Sequence, residues 1–351
     1  MNVRVGINGF GRVGRCAFRS AYESGAPIEW AGINDLADVA TLAYLLRHDT
    51  VYGPFPGAVE VAEDALVVDG TWIPVFAETV PAAIPWSKVS ADVVLECTGK
   101  FRARDDAAGH LEAGAKKVII SAPGKGVDAT IVLGVNFDAY DPEWHSIVSN
   151  ASCTTNCLAP VAKVLHEALG IRHGMMTTIH AYTGDQKLVD LPHKDLRRAR
   201  AGAANIIPTS TGAATAIGLV IPELAGRLQG FAARVPVLTG SMIDLTVEVE
   251  RPTSVAEVNA LFAAAAVGEL IDILQYSEEP LVSSDVIKSS YSSVFDAGLT
   301  TVAGGTQVTV VAWYDNEWGY STRLAELAQR VLVPEAQAVL AAKAHYAPAA
   351  G

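Results

Sequence analysis

Short β-branched runs alternate with helical spacings through the first half of the chain. Val3 to Ile7, a helical pattern from Arg12 to Ser24, and Ile28 to Asn34 follow one another in β-α-β order, which predicts parallel strands. Val93-Val94-Leu95-Glu96-Cys97 and Val118-Ile119-Ile120 continue the series as buried strands, with an Ala-rich helix from Arg104 to Ala115 between them. The pattern is that of an α/β, Rossmann-type doubly wound parallel sheet.

After Cys153 helices become fewer, and strands at Met175 to Ile179, Ile243 to Val249 and Val308 to Trp313 lie further apart. That spacing predicts an α+β domain with a mixed or antiparallel sheet. The stretch from Ala181 to Pro208 has no period and carries Arg197, Arg198 and Arg200, and a loop of that length is expected to be functional. Leu324, Leu327, Ala328 and Val331 share one face of a helix over Tyr320 to Val333 that packs back on the first domain, and the Ala- and Pro-rich end is expected to fray. The division expected is a cofactor domain of residues 1–152 with the terminal segment 316–351, and a catalytic domain of residues 153–315.

Length supports two cores rather than one, since 351 residues exceed what a single core holds. A formal charge of −12 excludes a surface built to coat nucleic acid or an anionic membrane. Cys16, Cys97, Cys153 and Cys157 lack the paired spacing of a disulfide framework, and the first residues run into a strand without a signal-peptide pattern. No apolar run approaches the roughly 20 residues of a membrane span. A soluble, cytoplasmic protein with reduced thiols is expected, and no metal site is expected because Cys153 and Cys157 have no further ligands at metal spacing.

Gly9-Phe10-Gly11-Arg12-Val13-Gly14 is a G-x-G-x-x-G motif directly after a strand and opening a helix. Gly9 allows the tight turn, Gly11 lets the backbone approach a pyrophosphate, and Gly14 permits close helix packing. Asp35, at the end of the second strand after Asn34, accepts hydrogen bonds from ribose hydroxyls and repels a 2′-phosphate, so NAD is favoured over NADP.

Ser149-Asn150-Ala151-Ser152-Cys153-Thr154-Thr155-Asn156 stands between a strand and a helix whose apolar stripe is Leu158, Val161, Leu165 and Leu169. Cys153 therefore lies at a helix N-terminus. Lowering a thiol from about 8.5 to about 6 needs about 3.4 kcal/mol. A helix terminus supplies about 0.3–2 kcal/mol. A second partner is required, and His180, at the end of the strand Met175 to Ile179, is the candidate base.

These residues, together with His180-Ala181-Tyr182-Thr183-Gly184-Asp185-Gln186, Pro208-Thr209-Ser210-Thr211-Gly212 and Trp313-Tyr314-Asp315-Asn316-Glu317-Trp318-Gly319-Tyr320, make the chain resemble the phosphorylating, NAD-dependent glyceraldehyde-3-phosphate dehydrogenases over nearly its whole length. The resemblance implies that Cys153 attacks the aldehyde, that His180 is the base, and that inorganic phosphate releases an acyl phosphate from the thioester. It implies a cofactor site of the glycine motif with Asn34, Asp35, Thr98, Gly99, Ser121, Asn316 and Tyr320, in which Asn316 orients the nicotinamide amide. It implies one anion pocket with Thr183 and Arg234, a second with Ser152, Thr154, Thr211 and Gly212, and support from Arg198. Leu191-Pro192 resembles the NAD-using members, and the assembly implied is a homotetramer whose long loop borders a neighbour's cofactor.

Three positions depart from the family pattern. Thr215 stands for a usual lysine, Val237-Leu238-Thr239-Gly240 for a usual Thr-Pro-Asn-Val, and Thr322 for a usual asparagine, which leaves room for a specialised isozyme. An erythrose-4-phosphate dehydrogenase and a catalytically silent NAD-binding interaction protein are the alternatives. Tyr182-Thr183-Gly184 and Ser210-Thr211-Gly212 fit the triose enzyme, and the intact Cys153 and His180 speak for catalysis.

Overall fold

The computed structural model describes residues 2–332. The first half holds β1 (Val3–Asn8), α1 (Arg12–Ser24), β2 (Ile28–Asn34), α2 (Val39–Arg47), β3 (Val59–Ala62), β4 (Ala65–Val68), β5 (Thr71–Phe76), β6 (Val93–Glu96), α3 (Arg104–Ala107), α4 (Gly109–Glu112), β7 (Lys117–Ile120), β8 (Ala129–Thr130) and β9 (Ile147–Ser149). They form a nine-stranded sheet in the order β3-β4-β5-β2-β1-β6-β7-β9-β8. β5, β2, β1, β6, β7, β9 and β8 pair in parallel, and β3 and β4 extend the edge antiparallel. Both faces of the central strands are covered, and Val5, Ile7, Ile33, Val93, Leu95 and Ile119 have no exposed surface.

The second half holds α5 (Cys153–Leu169), β10 (Ile171–Ala181), β11 (Ile207–Ser210), α6 (Ala213–Val220), β12 (Leu228–Val235), β13 (Ser241–Val249), α7 (Val255–Val267), β14 (Leu274–Ser277), β15 (Ser293–Ala303), β16 (Gln307–Tyr314) and α8 (Trp318–Arg330). Its seven-stranded sheet runs β11-β12-β10-β13-β16-β15-β14, mixed and mostly antiparallel as the spacing of the strands predicts. β13 alternates buried and half-buried residues along its length, the signature of a sheet with one covered face. One apolar cluster runs from β1 and β6 through Leu158 and Leu165 of α5 to Ile243 and Val310. α8 packs on α1 and on the ends of β1 and β6, so the last described helix returns to the first sheet. The end of that predicted helix at Val333 and the frayed tail lie outside the described residues.

The helix expected over Arg104 to Ala115 is instead two separate turns, α3 and α4. Tertiary contacts override the Ala-rich propensity here. His110 turns fully inward to bond Trp86 and Glu96, and a Cβ at Gly109 would stand 2.9 Å from the backbone N of Ala82.

Candidate active site

Three strand ends build a cleft at the carboxyl edge of the parallel sheet, where the strand order reverses between β1 and β6. Gly9 turns at φ +91°, a region closed to most side chains, and its N–H donates to Asn34 O at 2.8 Å. A Cβ at Gly14 would sit 2.3 Å from Gly9 O, whereas one at Gly11 would meet nothing within 4 Å, so Gly11 faces open space. α1 starts there with no side-chain cap, leaving its first N–H groups free for an anion. Phe10 N donates to Asp35 Oδ2 at 2.7 Å and Ala37 N to Oδ1 at 3.0 Å, which fixes the carboxylate at the cleft with one lone pair left on each oxygen.

Several predicted cofactor residues serve the cleft indirectly. The Arg12 guanidinium is bound by Glu317 and Asp49, so Arg12 and Val13 have their backbone rather than a side chain for a ligand, while Phe10 gives its N–H to Asp35 and its carbonyl accepts from Arg15 Nη1 at 2.7 Å. Asn34 bonds Asn8 Oδ1 and both backbone groups of Glu78 and is 3 % exposed, so its amide is fully engaged in holding strand ends together. Thr98 gives its N–H to Glu96 Oε1 at 2.8 Å, Gly99 turns at φ +70°, and Ser121 N donates to Glu96 O at 3.0 Å. Tyr320 Oη donates to Ala151 O at 3.1 Å, bracing a residue held at φ +54° two positions before Cys153.

Cys153 is the first residue of α5. Ser152 caps the helix by accepting from Thr155 N at 3.0 Å, as the sequence pattern requires. The Cys153 Sγ lies 3.4 Å from His180 Nε2, so the two predicted partners meet. Arg234 joins them, its Nη1 standing 2.6 Å from His180 Nδ1 and donating to Ala181 O at 3.0 Å. Ala181 O is also 2.7 Å from His180 Nδ1. One tautomer cannot satisfy both contacts. A protonated Nδ1 donates to the carbonyl and leaves Nε2 to accept the thiol proton; a bare Nδ1 accepts from the guanidinium and leaves an Nε2–H aimed at sulfur.

Burial pushes the Cys153 thiol above its ordinary value, while the Arg234 charge and hydrogen bonds from Thr154 pull it down. Burial first and Arg234 second hold His180 down to about 3, against the bond to Ala181 O. The resting pair is thus a thiol beside a neutral imidazole rather than a preformed low-value thiolate. Alkylation of Cys153 in cofactor-free protein should therefore rise with pH across about 7 to 10, and Arg234→Leu should slow it about tenfold at a given pH by removing the charge that favours thiolate. A rate that is flat over that range, or unchanged by Arg234→Leu, contradicts this electrostatic picture.

The anion residues divide likewise. Arg234 Nε is buried without a partner, a free donor beside the thiol. Arg198 is held by Thr209 Oγ1, Asp185 and Ser210 O at 2.7–3.1 Å, so its guanidinium is engaged within the long loop. Thr183 donates to Gln186 Oε1 through its N–H at 2.8 Å. Thr154 Oγ1 is 2.9 Å from Tyr314 Oη, which is 2.9 Å from Thr178 Oγ1, so Thr154 has its backbone N–H rather than a free hydroxyl for an anion. Gly212 opens α6 with nothing within 4 Å of an added Cβ, and Thr211 Oγ1 accepts from Ala213 N at 3.2 Å.

Sequence reasoning missed Tyr314, Ser241 and the role of Thr239. The Asn316 Oδ1 accepts from Ser241 Oγ at 2.7 Å and from Thr239 Oγ1 at 3.3 Å, which leaves its NH2 as the group to meet a ligand. Of the three departures, Thr239 therefore touches a site residue. Thr215 is exposed on α6, and Thr322 bonds its own helix at Trp318 O.

Comparisons with known proteins agree on both halves. Residues 3–104 match the model described as glyceraldehyde 3-phosphate dehydrogenase, NAD binding domain, and residues 152–316 the model described as its C-terminal domain. The chain is 58 % identical over 328 residues to glyceraldehyde-3-phosphate dehydrogenase 1 of Streptomyces avermitilis, covering 93 % of this chain and 98 % of that protein. The same figures hold for the glyceraldehyde-3-phosphate dehydrogenase of Geobacillus stearothermophilus, and the Mycobacterium avium protein of that name is 56 % identical over 333 residues, 93 % of this chain and 98 % of its own.

Proposed function

The chain belongs to the glyceraldehyde-3-phosphate dehydrogenase family, and we propose that Cys153 and His180 carry the family's chemistry on it. The protein is an oxidoreductase that oxidises glyceraldehyde 3-phosphate with NAD and takes up inorganic phosphate. The observation that carries the residue assignment is the contact of Cys153 Sγ with His180 Nε2 at the start of α5.

Cys153 Sγ attacks the aldehyde carbon, its proton passing to the new oxygen by way of His180, and a thiohemiacetal forms. Bound NAD supplies a hydride acceptor at that carbon. His180 takes the hydroxyl proton as the carbonyl reforms, leaving a thioester on Cys153 and an imidazolium that Arg234 destabilises, so the proton leaves readily. Phosphate then attacks the thioester carbon, the sulfur departs, and the acyl phosphate 1,3-bisphosphoglycerate is released. Thr183 and Arg234 hold the substrate phosphate, while Ser152, Thr211, Gly212 and the Thr154 N–H hold inorganic phosphate, with Arg198 bracing the pocket. The unpartnered Arg234 Nε supports this reading, because a buried guanidinium donor without an acceptor is what an anion would complete.

The cleft residues fit NAD, with free N–H groups at α1, open space at Gly11 and a fixed carboxylate at Asp35. Asp35→Gly should raise the efficiency with NADP by about tenfold or more relative to NAD, by removing like-charge repulsion. An unchanged preference, read from kcat/KM for the two cofactors, contradicts the role given to Asp35.

We assign residues 2–152 with 316–332 to the cofactor domain and 153–315 to the catalytic domain, a division supported by the return of α8 to α1, and the remainder of the expected terminal segment, 333–351, lies outside the described residues. The exposed Leu188, Val189, Leu191, Leu196 and Ile206 of the long loop form an apolar surface suited to a homotetramer interface, which a sedimentation run showing a stable monomer would refute. Cys16, Cys97, Cys153 and Cys157 are free thiols, which supports the cytoplasm, and among the described residues no helix is long and apolar enough to cross a membrane.

The test is NADH formation from glyceraldehyde 3-phosphate with and without inorganic phosphate, before and after alkylation of Cys153, with erythrose 4-phosphate as the competing aldehyde. Phosphate-dependent turnover that alkylation abolishes is expected. Faster turnover of the four-carbon sugar would overturn the substrate, and NAD binding without turnover of either would favour a silent binding protein.

A further inference from the structure

β1 and β6 flank the crevice where the strand order reverses, and the residues that end them, Asn8 and Glu96, are register partners. Glu96 is 1 % exposed, yet four donors converge on it. Its Oε1 accepts from the Thr98 N–H at 2.8 Å and from the Thr98 hydroxyl, and its Oε2 accepts from Asn8 Nδ2 at 2.5 Å and from His110 Nε2 at 3.0 Å. The tautomer of His110 is fixed from behind. Trp86 Nε1, which can only donate, lies 3.0 Å from His110 Nδ1, so Nδ1 is bare and the ring hydrogen sits on Nε2, facing Glu96. Neither ring has exposed surface.

The carboxylate oxygens offer about four lone-pair sites, and all are filled. From Asn8 the chain continues, since Asn8 Oδ1 accepts from Asn34 Nδ2 at 2.8 Å and Asn34 O accepts from Gly9 N at 2.8 Å. One buried carboxylate therefore ties together the turns that end β1, β2 and β6. The Gly9 turn and the Thr98 loop are in contact, because a Cβ at Gly9 would lie 2.7 Å from Thr98 N. Moving either changes the mouth of the cleft.

We propose that Trp86, His110 and Glu96 are positioning residues of the cofactor site, a relay that sets the Thr98–Gly99 loop against the Gly9 turn in the arrangement that NAD enters. This rests on the cofactor cleft as read above. The relay bonds Thr98 and Asn8 rather than Cys153 or His180, so it governs cofactor affinity and leaves acyl chemistry intact.

Glu96→Gln keeps the shape but turns an NH2 toward one pair of donors, so Kd for NAD, measured by calorimetry on the full chain, should rise about tenfold with KM for NAD following it. At saturating NAD, kcat should stay within about threefold of the parent, and KM for the aldehyde should not move. His110→Gln can accept from Trp86 and donate to Glu96, and should stay within about twofold of the parent in NAD affinity, whereas His110→Phe should behave like Glu96→Gln. If Glu96→Gln does not fold, the contrast between His110→Phe and His110→Gln carries the test. Unchanged NAD affinity in Glu96→Gln or His110→Phe with a lowered melting temperature would make the relay merely structural and overturn the proposal. A fall in kcat with NAD affinity intact overturns it too. Failure of the parent protein to bind NAD in the first titration would instead overturn the cofactor cleft, and the relay with it.

Discussion

Cys153→Ser should lower oxidation of glyceraldehyde 3-phosphate by about ten-thousandfold or more while leaving NAD binding within about twofold. A serine hydroxyl fits the space at the start of α5 and keeps the contact to His180, so the loss isolates nucleophilicity. Sulfur is the stronger nucleophile near neutral pH, and as the leaving group it gives a thioester that phosphate can open. The check is steady-state NADH formation beside a calorimetric NAD titration of the same preparation. Near-parent turnover with intact binding would remove Cys153 from the mechanism.

His180→Asn should lower kcat by about a hundred- to ten-thousandfold, the usual contribution of a positioned base. Its amide occupies the imidazole's place beside Arg234 but cannot take the proton from the thiohemiacetal oxygen. A second readout concerns stability. An unfolded histidine titrates near about 6.5 and the folded His180 at about 3, so the unfolded state binds more protons between those values. This group's share of stability is fully present above about 6.5 and falls as pH drops toward about 3, by up to about 1.4 kcal/mol per unit. Denaturant titrations across that window should show a shallower acid decline for His180→Asn than for the parent. An equal slope would place the acid sensitivity elsewhere, and an unchanged kcat would deny His180 the role of base.

The alternation of strands and helices was legible because strands buried on both faces are apolar through their middles, as Val5 to Ile7 of β1 and Val93 to Leu95 of β6 are. The glycine motif was legible for a local reason as well, since the turn at Gly9 and the tight helix contact at Gly14 exclude side chains within a few residues, and Gly11 between them leaves the backbone open. Cys153 at the head of α5 followed from a capping serine and an apolar stripe. Meetings of distant residues were less open to reading. Tyr314 of β16 reaches Thr154 at the head of α5 and Thr178 of β10, Thr239 reaches Asn316, and His110 breaks a helix by turning into the core toward Glu96. Nothing in local spacing marks these contacts, although a glutamate closing the apolar run Val93–Glu96 is a signal of a buried partner. The same limit explains Arg12, Asn34 and Thr154, whose positions were expected at the site but whose side chains are engaged by neighbours.

The thioester on Cys153 is tested most directly by mixing the full chain with NAD and glyceraldehyde 3-phosphate while withholding inorganic phosphate, then measuring NADH and the mass of the peptide that carries Cys153. The expected result is one NADH per chain in a burst, with a 3-phosphoglyceryl group on that peptide that disappears when phosphate is added and turnover resumes. Continuous turnover without phosphate, or a burst that leaves Cys153 unmodified, would contradict it.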